Sequence, residues 1–97
     1  MSNQQSTISQ GATLLCVMAS ISQQKNDDQQ ALSYYNQARI QIRSIDGTSQ
    51  DIDQLQFSIS LNMCKIYKQQ SNLIMANLLI NEALKMAHEL QQQNKIT

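Results

Sequence analysis

The chain has 97 residues, enough for one domain with a modest core. Seven basic side chains balance seven acidic ones without forming a stripe, so the chain has no electrostatic grip on nucleic acid or an acidic membrane surface. Two Gly, no Pro and no Trp, beside many Leu, Ile, Met, Ala and Gln, predict an all-α protein.

The polar run 1–8 is expected to be disordered. A first helix is predicted from about Ser9 to Gln24, where Leu14, Leu15, Val17, Met18 and Ile21 recur at helical intervals. "KNDDQQ" then supplies a turn, with Asn26 or Asp27 as cap and acidic residues at the positive end of the next helix dipole. The second helix is predicted from about Asp28 to Ile45. Its stripe of Ala31, Tyr35, Ala38, Ile42 and Ile45 is a narrow seam for one neighbour. Gly47 is suited to a left-handed helix end, and Thr48 or Ser49 to the next cap.

The third helix, about 50–70, places Ile52, Leu55, Ile59, Met63 and Ile66 on one face. Ser71 or Asn72 caps a fourth helix reaching about Gln92, and 93–97 is expected to be a flexible tail. The 17 Gln are dispersed among periodic apolar positions, which places them on the polar faces of these helices. Connections this short make each helix antiparallel to the one before.

Residues 12–45 overlie residues 57–90 at an offset of 45 with no gap. Leu14 meets Ile59, Met18 meets Met63, Ile21 meets Ile66, Ala31 meets Ala76 and Ala38 meets Ala83. A fixed period of this kind predicts two stacked supersecondary units. The segment "LNMCKIYKQQSNLIMANLLINEALKMA" resembles a tetratricopeptide repeat. Met63, Cys64 and Tyr67 stand at that family's Leu, small and Tyr places. Ser71 stands at its inter-helix Gly, and Ala76, Ile80 and Ala83 at its second-helix places. The first hairpin matches through Leu15, Met18, Ala19, Ala31, Tyr35 and Ala38, with Ser22 in place of Tyr. Three features depart from the pattern. Arg43 and His88 replace the family's Pro, and the period exceeds the family's roughly 34 residues. The extra residues, about 46 to 56, lengthen the loop and the next helix start. Longer repeats of this sort look like those of kinesin light chains and related adaptors.

The resemblance implies two stacked antiparallel hairpins at 9–92, a fragment of a right-handed α-superhelix. It implies that a final second helix needs a polar capping helix, for which "QQQNKIT" leaves no room. At the outward places of the first hairpin stand Gln29, Gln30, Ser33 and Tyr34; in the second they are Ile74, Met75, Leu78 and Leu79. These four form one patch, expected to bind a partner, unless the helices close into a bundle that makes them core. The resemblance also implies an inner groove, with Leu61, Asn62, Lys65 and Lys68 as further partner-binding candidates. The carboxylate clamp of some family members does not carry over, because Cys16 and Ser20 stand where it needs Lys and Asn.

No phosphate-binding or nucleophile-elbow motif exists, since two Gly forbid them. The single His88 has no converging nucleophile or orienter, and Asp51 and Asp53 read as helix-dipole partners. No enzyme, cofactor or metal is therefore expected. Cys16 and Cys64 read as buried free thiols of a reducing compartment. With no leader-like or membrane-spanning run, the expectation is a cytoplasmic protein. The expected function is a protein–protein interaction module: a small adaptor, complex subunit or dedicated chaperone that binds a helix or extended peptide. The alternative is a self-associating four-helix bundle forming a structural homodimer.

Overall fold

The computed structural model describes residues 2–45 and 50–96, with side chains described for 10–45 and 50–92. The fold is all-α, and no strand occurs among the described residues. Its helices are α1 (Ser2–Gln24), α2 (Asp28–Arg43), α3 (Gln50–Gln69) and α4 (Leu73–Ile96). The chain divides into two compact units, Met1–Thr48 and Ser49–Thr97, each a helical hairpin.

In the first hairpin α1 packs on α2 through small side chains. Ala12, Ala19 and Ser22 of α1 are buried, as are Ala31, Tyr35, Ala38 and Ile42 of α2, with Ile45 just beyond its end. Alanines on both sides let the two backbones approach closely, and the larger Tyr35 and Ile42 fill the seam. The Tyr35 hydroxyl donates to Gln23 Oε1 at 2.8 Å, so the buried phenol keeps a partner. The Ser22 hydroxyl lies 3.1 Å from the Met18 carbonyl and 3.2 Å from Gln30 Oε1, two acceptors for its one proton.

The second hairpin is built from larger residues. Ile52, Ile59, Ser60, Met63 and Ile66 of α3 are buried, and so are Ala76, Leu79 and Ala83 of α4. Leu55, expected on the same α3 face, is half-buried. The Cys64 thiol donates to the Ala76 carbonyl at 3.3 Å, which ties α3 to α4 beside a small residue. Every buried side-chain nitrogen and oxygen among the described residues has a hydrogen-bond partner.

Both hairpins close through the same turn. Asn26 and Ser71, 45 positions apart, both take a left-handed backbone, at φ 62° and 61°. The Asn26 amide donates to the Gln23 carbonyl and the Ser71 amide to the Lys68 carbonyl, each at 3.0 Å. The next amides, of Asp27 and Asn72, reach back to Ser22 and Tyr67 at 2.9 and 2.8 Å. These pairs satisfy the last carbonyls of a helix in the Schellman manner. Asp27 and Asn72 then cap the following helices, their Oδ1 atoms accepting from the Gln30 and Met75 amides at 3.1 and 3.3 Å. Of the two cap residues considered for each turn, Asp27 and Asn72 act, while Asn26 and Ser71 carry the left-handed step.

Two expectations about the chain ends are corrected. The helix α1 begins at Ser2 rather than near Ser9, so the polar run expected to be disordered is helical from residue 2. Residues 2–8 contain neither Pro nor Gly, and a polar helix needs only the absence of breakers and a folded segment to extend. Likewise α4 continues to Ile96, through residues expected to form a loose tail. The suggested helix end at Gly47 and caps at Thr48 or Ser49 lie outside the described residues.

Candidate interaction surface

The α4 helix is apolar on two sides. Ala76, Leu79 and Ala83, spaced three and four apart, form its buried seam. Across the helix, Ile74 is 77% and Leu78 54% exposed, one turn apart. Leu73 and Leu84 are also exposed, and Asn77 and Asn81 stand among them. No charged residue occurs from Leu73 to Asn81. Fully burying one such Ile or Leu would contribute about 1.5–3 kcal/mol, which is available to whatever covers the face.

Of the four residues expected to form the patch, Ile74 and Leu78 are outward and Met75 is half-buried at the margin. Leu79 is corrected: at 2% exposure it belongs to the core. The seam dictates this, because position 79 lies within about 60° of both alanines on the helix wheel, whereas position 78 lies across it. The candidates on α3 occupy a different helix of the same hairpin. Leu61 and Asn62 are half-buried, while Lys65 and Lys68 are exposed on the following turns. They form a mixed surface in which a partly covered leucine is followed along the helix by two exposed lysines.

Burial raises the Cys16 thiol from 9.0 to about 11, so it remains a neutral, poorly nucleophilic thiol at neutral pH. A hollow of about 170 Å³ lined by Met18, Ile21, Ser22, Lys25, Gln30 and Tyr34 is below the size of ordinary small-molecule sites. No group of three or more His, Cys, Asp or Glu placed to hold a metal occurs among the described residues. None of their helices is long and apolar enough to cross a membrane.

Family models, curated proteins and solved structures gave no match to this chain.

One surface escaped the sequence reading. Leu14, Val17 and Ile21 recur at three and four positions on α1 and are exposed, on the side opposite Ala12, Ala19 and Ser22. Their periodicity predicts the helix without saying which of its sides is covered. The available signal was the company they keep: α1 contains no charged residue from Ser2 to Gln24. An outward helix face is ordinarily where charges collect, and its absence here marks a face suited to burial.

Proposed function

We propose that this chain is a non-enzymatic protein–protein interaction module that docks a partner helix on the outward face of α4. One observation carries the reading: Ile74 and Leu78 stand exposed in adjacent turns of a helix whose core seam is already filled by Ala76, Leu79 and Ala83. An amphipathic partner helix presenting apolar residues at spacings of three and four would cover that face. Met75 lends it an adaptable, polarizable edge. Lys65, Lys68 and the half-buried Leu61 and Asn62 would supply a rim on α3 for a partner with an acidic flank.

The repeated turn and the buried alanine pairs Ala31/Ala38 and Ala76/Ala83 support reading the hairpins as tetratricopeptide-like repeats of long period. On that reading the chain serves as an adaptor, complex subunit or dedicated chaperone. The free thiols fit a reducing, cytoplasmic setting. The test is a paired substitution, Ile74→Ser with Leu78→Ser. The variant should keep the helical circular-dichroism signal and melting temperature of the parent, and lose the proteins that the parent captures from its source cell. Unfolding of this variant, or unchanged capture by it, refutes the assignment of the face.

A further inference from the structure

The two hairpins differ in one respect that their shared turn makes measurable. Leu14 and Ile21 on α1 are 60% and 45% exposed. Their counterparts 45 positions later, Ile59 and Ile66 on α3, are 1% and 0% exposed. The turns that follow these helices share four backbone hydrogen bonds and a left-handed residue at the same offset, which puts the two helices in the same register relative to their turns. The same face of the same unit is thus sheltered from water on α3 and open on α1.

Charge narrows the choice of occupant. No charged residue lies on α1, and none lies on α4 between Leu73 and Asn81. A partner placing a lone acid or base over either stripe would bury it unpaired, at a cost of several kcal/mol. Each stripe therefore selects an uncharged, apolar helix face, and each is such a face. Every copy of the chain carries both.

We propose that a second copy of this chain is the occupant: α4 of one copy, through Ile74 and Leu78, docks on Leu14, Val17 and Ile21 of α1 of the next. This rests on the reading of α4 as an interaction face and adds its counterpart. Pairing α1 with α1 alone would leave every α4 face wet, whereas a contact of α4 on α1 covers both stripes through one kind of interface. The contact joins unlike surfaces, so two copies can satisfy both reciprocally, or copies add until a larger ring closes or a chain grows.

Sedimentation velocity on the full chain over a concentration series tests this, using two variants at exposed positions. One carries Val17→Gln and Ile21→Gln, the other Ile74→Gln and Leu78→Gln. The parent should form a dimer or larger species whose share rises with concentration. Each variant alone should lose every species above the monomer. An equimolar mixture should recover a dimer, twice the monomer mass, and nothing larger, because each variant retains the face that the other lacks. A parent that stays monomeric overturns the proposal. So does an α4 variant that still pairs with itself. An α1 variant that assembles like the parent overturns it too, while an accompanying loss of assembly in the α4 variant leaves the α4 face standing as an interface. If either double variant lost its helical signal, single substitutions would decide. With Cys16→Ser and Cys64→Ser in the background, Val17→Cys and Leu78→Cys chains, mixed and oxidised, should form the mixed disulfide in preference to either self-linked dimer. Failure to do so has the same force as a monomeric parent.

Discussion

Leu78 and Leu79 are chemically identical neighbours with opposite situations, one exposed and one enclosed. Leu79→Ala should destabilise the chain by about 2–5 kcal/mol, the range for emptying a core leucine site. Leu78→Ala should change stability by less than about 0.5 kcal/mol in the monomer. Urea unfolding at low protein concentration measures both, and equal effects would contradict the assigned seam. In "ANLLIN" hydropathy alone cannot say which leucine faces inward. The flanking alanines can, since 79 completes the spacing between 76 and 83, so this residue was legible and was misread by its match to Tyr34. A second residue-scale prediction concerns Cys16. Its thiol is raised from 9.0 to about 11 in the folded chain, so the unfolded chain releases that proton first as pH rises. The contribution is fully present below pH 9 and is lost as pH climbs towards 11. Alkylation of Cys16 by iodoacetamide at pH 9 should correspondingly lag behind that of the denatured chain.

At the scale of elements, the turns carry the most specific claims. Asp27→Ala and Asn72→Ala each remove a cap that accepts from the following helix, and each should cost about 1 kcal/mol in thermal or urea unfolding. Ser71→Gly should stabilise by about 0.5 kcal/mol. Glycine relieves the left-handed strain of about 1–2 kcal/mol and returns part of the gain as unfolded-chain entropy. Asn26→Gly should gain less, because asparagine tolerates that backbone better than serine. A melting temperature lowered by Ser71→Gly would contradict the turn geometry. The turn locations were legible as clusters of Asn, Asp and Ser between periodic runs. The division of labour within them was not, because Asn26 and Asp27 are both good caps and only the backbone decides. The true start of α1 was also hidden, since a run of Ser, Asn and Gln reads as loosely in a helix as outside one.

For the molecule as a whole, the class was legible from the scarcity of breakers, and the two hairpins from the offset of 45 and the paired alanines. What periodicity could not tell was how many sides of each helix would be covered: Leu14, Val17 and Ile21 have core spacing and face water. The proposed contact between copies holds no ion pair, so assembly should be insensitive to salt. Raising sodium chloride from about 50 to 500 mM should leave the sedimentation profile unchanged or slightly strengthen association. A marked loss of assembly over that range would point to charged groups such as Lys65 and Lys68 instead.

The residue after each left-handed step serves two helices at once: the amides of Asp27 and Asn72 close the outgoing helix while their side chains open the incoming one. Such a joint has no slack. One extra glycine spliced between Asn26 and Asp27 would hand the two duties to different residues and swing α2 out of step with α1. These bends, though they lie on the surface, would then be poor places for an insertion or a protease nick, and the spacing between the helices would be fixed at the hinge, before any side chain in the seam meets its neighbour.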